Sequence, residues 1–193
     1  RGTSYLQPSN TQAEVGSDLS GLTSFNSDGF SVGNGGATNT AGQTQVAWCW
    51  RAGAGTTSTN TDGTIPSVVS VNRDAGFSIV SYTGNGSNPT TVGHGLGKAP
   101  KFMIFKSRNT VVNWFVYHGF NGGSGAFEGL NTTSAFSASA SALFGNTAPN
   151  SSTITLGGVD GNTNGRTYIV YCWAEIEGFS KFGSYVGLSL IHI

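Results

Sequence analysis

A short strand sequence that occurs twice constrains this chain more than any other feature. Trp48-Cys49-Trp50 returns as Tyr171-Cys172-Trp173, and the residues before each run match in kind, Gln43-Thr44-Gln45-Val46-Ala47 against Arg166-Thr167-Tyr168-Ile169-Val170. Phe30-Ser31-Val32 pairs likewise with Ile154-Thr155-Leu156, and Asn10-Thr11 with Asn131-Thr132. A second echo runs from the middle of the chain to its end. Gly76-Phe77-Ser78 with Tyr82-Thr83-Gly84 is answered by Gly178-Phe179-Ser180 with Tyr185-Val186-Gly187. Together the echoes divide the chain. Residues 1–53 are read as the back half of one unit, 54–76 as a linker or long loop, 77–177 as a complete unit and 178–187 as the first strand of a further one. A repeated module without catalytic character points to a built surface rather than an active site. A chain begun near Ile65 is accordingly expected to be better behaved than the full chain, since the half unit 1–53 would leave unpaired edges and exposed aromatics.

The tail breaks the echo. Polar Asn85-Gly86-Ser87 follows the first Tyr-Thr-Gly, whereas Leu188-Ser189-Leu190-Ile191-His192-Ile193 follows the second. One back-translation of those six residues matches a transposon-type sequencing adapter, so 188–193 is set aside as an artefact; the alternative is a short apolar tail strand.

Alternation of period two dominates the rest. Lys101–Lys106 and Asn113–His118 read as strands around a Ser107–Asn109 turn. Thr153–Leu156 and Thr167–Trp173, flanking the loop Gly157–Gly165, read as a hairpin, as do Phe77–Tyr82 and Thr90–Val92 around Gly84–Ser87. Glycine, at 30 of 193 residues against a usual share of about 7%, supplies the turns such a fold needs. No window carries a helical stripe; the Ala- and Ser-rich stretch Ser134–Leu143 has room for one helical turn. The expected fold is all-β, a two-layer antiparallel sandwich. Charge is sparse and balanced, 9 Lys+Arg against 9 Asp+Glu, which disfavours electrostatic capture of nucleic acid or an anionic membrane. No apolar run approaches the roughly 20 residues of a membrane-spanning helix. Cys49 and Cys172 hold equivalent repeat positions, so they are expected to be free thiols buried in separate cores, too far apart to bridge.

Candidate chemistry is thin. Asp160, Asn162 and Asn164 open a D-x-N-x-N-G pattern, a weak calcium alternative to a plain Asn-Gly turn; the twelfth position is Tyr171 rather than a bidentate carboxylate. Glu175 and Glu177, taken as one strand's face, would stand about 7 Å apart, wider than a retaining glycosidase pair. His94 and His118 have no ligand-spaced partners, and His94 reads as a surface or turn residue. Lys98, Lys101, Lys106 and Arg108 read as protection of a sheet edge. Among the tryptophans, Trp48 and Trp173 are expected in the core, and Trp114 is the best candidate for an exposed ligand-stacking ring. Trp114 and His118 are therefore the candidate ligand-binding residues. No catalytic residue, cofactor or metal is expected.

Longer phrases carry a resemblance. The stretches Gly76–Gly86 and Val92–Phe102, Thr23–Phe30 with Val46–Gly53, and Glu175–Tyr185 resemble a repeat domain of marine bacteriophage tail-fibre and other virion structural proteins. The resemblance implies a jelly-roll-like, concanavalin A-like and lectin-like β-sandwich in tandem repeats with truncated flanking units. It implies a non-enzymatic structural or adhesion module in the virion, with other virion proteins as partners, a host surface glycan as a further contact and a trimeric homo-oligomer as the assembly. Nucleic acid and membrane are not among the expected partners. The alternatives are an extracellular carbohydrate-binding module of a secreted bacterial protein and, further off, a concanavalin-type glycoside hydrolase.

Overall fold

The computed structural model describes residues 4–16, 20–119, 129–133, 141–158 and 160–187. The tail 188–193 lies outside the described residues, as does most of the expected helical turn, Ser134–Ala140. The elements are β1 (Leu22–Phe25), β2 (Phe30–Val32), β3 (Ser58–Asn60), β4 (Ser67–Asn72), β5 (Phe77–Thr83), β6 (Thr90–Gly93), β7 (Phe102–Ser107), β8 (Phe115–His118), α1 (Ser141–Phe144), β9 (Thr153–Leu156) and β10 (Thr167–Trp173). The fold is an antiparallel all-β sandwich. One layer is a six-stranded sheet in the order β3-β4-β5-β10-β7-β8; β6 pairs with β9 in the other layer, and β1 with β2 apart from both.

Register explains the core. Val170 of β10 lies opposite Val80 of β5 and Phe105 of β7; Val80 in turn faces Val69, and Phe105 faces Phe115. The next row runs Val71, Ser78, Cys172, Met103 and Tyr117. Because side chains alternate along every strand, these rows share one face. Val92 of β6, Ile154 and Leu156 of β9, and Leu143 and Phe144 of α1 close over it to form a single cluster. Burying each such side chain contributes roughly 1.5–3 kcal/mol.

Two expectations about connectivity fail. The loop 84–87 does not turn a hairpin, since β5 pairs with β4 and β10 while β6 pairs with β9. For the same reason 157–165 is not a hairpin loop. Both are crossovers between the layers, and period-two patterning cannot distinguish a turn within a sheet from a step between sheets. Asn162 joins the two crossovers. Its amide donates to Asn85 Oδ1 at 2.8 Å and Ser87 O at 2.7 Å, and its Oδ1 accepts from Asn85 N at 2.9 Å. The Tyr82 hydroxyl donates to Gly161 O at 2.6 Å beneath them.

The stretch 54–76 is not a linker. It carries β3 and β4, and β4 is an interior strand whose Val69 is buried. The Gly- and Thr-rich flank hides the Ser67–Asn72 alternation. A chain begun near Ile65 would therefore lose β3, the outermost strand of the main sheet. Residues 4–16 are also not independent of the complete unit. Lys106 Nζ donates to Thr11 O at 3.0 Å, Arg108 makes a two-pronged ion pair with Glu14, and Trp114 Nε1 donates to Gln7 O at 2.9 Å.

Candidate functional site

The sheet face opposite the core is aromatic. Alternation along β10 turns Cys172 inward and sends Tyr171 and Trp173 outward. Register then sets Phe77 and Phe102 on either side of Trp173, with ring centroids 5.0 and 5.4 Å away. Phe182 stacks on Phe102 at 5.8 Å, and Trp50 meets Trp173 edge-on at 5.8 Å. Trp48 extends the strip, 6.4 Å from Trp50. Phe77 is buried beneath, Phe102, Trp173 and Phe182 are half-buried, and Trp50 and Trp48 are 54% and 75% exposed. His118 ends the row, opposite Phe102 on the edge strand β8. Burial lowers its pKa, so the ring is neutral at pH 7.

Of the two ligand-binding candidates, the fold brings only His118 to this strip. Trp114 is buried, its indole N–H committed to Gln7 O beneath residues 4–16. Reading 1–53 as a separate unit concealed that cover. Trp48 is not a core residue either, whereas Trp50, Phe102 and Phe182 belong to the strip. Their signal was already present in the Gly-Phe-Ser echo and in the alternation of 101–106.

Several polar candidates also change character. His94 is fully buried rather than superficial; Nδ1 accepts from Leu96 N at 3.2 Å, which leaves Nε2–H to donate to Asn150 O at 3.1 Å. Desolvation lowers its pKa and keeps it neutral. Lys106 lies on an interior strand, with Nζ held by the Thr11 and Val112 carbonyls and its pKa lowered by burial. It is not an edge guard. Asn162 is buried with its amide committed to the crossovers, while Asn164 is exposed and Asp160 half-buried. Among the described residues no three His, Cys, Asp or Glu side chains gather as metal ligands. Glu175 and Glu177 do not share a strand face, because β10 ends at Trp173; Glu175 Oε1 accepts from Phe182 N at 3.1 Å, which fixes the turn that lays Phe182 on Phe102.

Both cysteines are free, but only Cys172 is buried. Burial pushes its thiol up to about 12, so it is packed and unreactive. Cys49 is exposed, against its expected place in a core, because the segment around it, unlike β10, forms no strand and pairs with none among the described residues.

No curated protein and no solved structure matches the chain. A family model does, over residues 1–190: the domain of unknown function DUF7483.

Proposed function

The chain belongs to the DUF7483 family, and from that footing we propose that it is a non-enzymatic adhesion module of a bacteriophage virion whose aromatic strip contacts a host surface glycan. The strip carries this reading. Trp48 and Trp50 are largely exposed beside Trp173, which lies between Phe77 and Phe102, and His118 stands opposite Phe102 at one end of the row. Apolar ring faces with polar tips suit a ligand that is itself apolar on one face and hydroxylated at its rim. The non-enzymatic part is supported by Glu175, the better placed of the two neighbouring acids, whose carboxylate holds a backbone N–H. The virion location, with other virion proteins and a trimeric assembly as partners, rests on the phrase-level resemblance to phage tail-fibre repeats.

Titration of the chain with soluble oligosaccharides and purified bacterial lipopolysaccharide, read by tryptophan fluorescence, tests the glycan contact. Trp50→Ala and Trp48→Ala are each expected to weaken binding at least tenfold while leaving the melting temperature in place. A saccharide panel that leaves the fluorescence unchanged would remove glycan contact from the reading. Tail and capsid genes beside the coding sequence would test the virion location separately.

A further inference from the structure

We propose that Asn85-Gly86 and Asn164-Gly165 are latent self-modification sites, each held unreactive by the other's crossover, and that their rearrangement makes an opening of the sandwich at that end permanent. Asn-Gly is the dipeptide most prone to spontaneous loss of the side-chain amide, because glycine has no side chain to hinder ring closure. The sequence has four, at 34, 85, 121 and 164; Asn121-Gly122 lies outside the described residues. In the crossovers the glycines are needed. Gly86 and Gly165 adopt the left-handed region, at φ +75° and +76°, which glycine enters without steric cost. The crossovers therefore keep a reactive dipeptide, and both asparagines are exposed to water.

The reaction has a requirement that the fold denies. The glycine nitrogen loses its proton to solvent and bonds to the asparagine Cγ; the bond from Cγ to the side-chain nitrogen breaks, and ammonia leaves. Water then opens the succinimide ring, giving aspartate or, with the main chain rerouted through the side chain, isoaspartate. In the structure the Gly86 N–H donates to Asn162 O at 2.9 Å, and the Gly165 N–H donates to Gly84 O at 3.0 Å. A nitrogen whose proton is held by a carbonyl neither gives it up readily nor turns toward Cγ. The Asn85 side chain is tied as well, its Oδ1 accepting from Asn162 Nδ2 at 2.8 Å and from Ser87 N at 2.9 Å.

The locks are reciprocal. Gly86 on one crossover is held by Asn162 on the other, and Gly165 on the second is held by Gly84 on the first, whose own N–H donates to Arg166 O at 2.8 Å. The two dipeptides also touch, since a Cβ on Gly86 would lie 3.2 Å from the Asn164 Cβ. Separating the crossovers frees both glycine nitrogens at once. Asn34-Gly35 is held elsewhere, by the Gly35 N–H on Ser20 O at 2.7 Å, so it reports on a different opening. An aspartate at 85 keeps the side-chain acceptor that Asn162 uses. Isoaspartate does not, because that carbonyl has become part of a main chain lengthened by a methylene, and the clasp cannot re-form. A local opening that would otherwise reverse becomes irreversible.

The test is peptide mapping by mass spectrometry of the full chain, aged in mildly alkaline buffer either folded or unfolded in guanidinium. Unfolded, Asn34, Asn85 and Asn164 are expected to lose ammonia at similar rates. Folded, Asn85 and Asn164 are expected to slow by the same factor, about a hundredfold or more. Similar rates in the two conditions, or one of the pair reacting while the other stays intact, would overturn the proposal. Refolding gives a second reading that needs no loss of the clasp by mutation. After the denaturant is removed, isoaspartate at 85 is expected only in chains that fail to refold, whereas Asn85→Asp is expected to refold with an unchanged melting temperature. Isoaspartate shared equally between refolded and unfolded chains, or an Asn85→Asp chain that does not refold, would overturn the one-way step.

Discussion

Tyr171-Cys172-Trp173 and Trp48-Cys49-Trp50 are near copies in sequence and opposites in environment. The first is the middle of the six-stranded sheet, laddered on both sides, with its cysteine at 0% exposure. The second belongs to no strand and pairs with none among the described residues, and its cysteine is exposed. A strand's own residues decide which side chains share a face. Whether that face is a core depends on neighbours that arrive from elsewhere in the chain.

The strongest way to break the comparison is a charge at equivalent inward positions. Val170→Asp buries an unpaired carboxylate in the central strand and is expected to abolish the cooperative thermal transition, a loss of several kcal/mol. Ala47→Asp, at the matching and exposed position of the segment 44–50, is expected to stay within about 0.5 kcal/mol in denaturant melts. A comparable loss in both would show that 44–50 is buried after all.

The echoed glycines give the next contrast. A Cβ on Gly76 would lie 2.6 Å from Ala174 O, at a residue already in the left-handed region, whereas a Cβ on Gly178 would meet nothing within 4 Å. Gly76→Ala is expected to cost about 3 kcal/mol or more, from strain and overpacking together. Gly178→Ala carries only the conformational cost of about 1–2 kcal/mol, paid locally in a turn. Urea titrations of the two variants measure the gap, and equal midpoints would count against it.

Acid sensitivity belongs to the complete unit through His94. Its folded pKa lies below 6.5 because the buried ring resists charging, so the unfolded chain takes up a proton that the folded chain does not. Stability is therefore full above pH 6.5 and falls as the pH drops below it, by up to about 1.4 kcal/mol per pH unit for one such proton. His118, also lowered, adds to the same window. Below pH 4.5 protonation of Glu14 begins to remove its pairing with Arg108 as well. Melting curves between pH 7 and 5 should fall, and His94→Gln should flatten that slope; an unchanged slope would show that the ring charges freely in the fold.

The smallest perturbation is chemical. A thiol reagent is expected to modify one cysteine per folded chain, Cys49, and to reach Cys172 only with denaturant. Reaction of both at similar rates would erase the distinction between the two segments.

Much of the fold was legible beforehand. The alternation of 101–106, 113–118 and 167–173 identified β7, β8 and β10, and low helical periodicity excluded helical layers. β4 was missed because Ser67-Val68-Val69-Ser70-Val71-Asn72 sits in a stretch whose composition resembles a linker. Both hairpin assignments failed at the crossovers because a Gly-Asn loop serves a step between sheets as well as a turn within one. The aromatic strip was half visible: Trp173 and Phe102 follow from alternation, but the meetings of Trp173 with Trp50 and of Phe102 with Phe182 need contacts between segments far apart in the chain. Trp114 was misplaced for the converse reason, since its cover comes from residues near the other end of the chain.

By itself, the sequence determined the strand character of this protein, the two-faced pattern of each strand, the repeat relation between its segments and the sparse, balanced charge of its surface. These follow from local sterics and from side-chain polarity, which each residue carries wherever it lands. Only the tertiary structure decided which of two matching segments becomes a buried strand, which loops cross between layers, and that His94, Lys106 and Trp114 lie inside. Burial is set by pairing and packing among distant segments, and a buried polar group is stable only where those segments supply its hydrogen-bond partners.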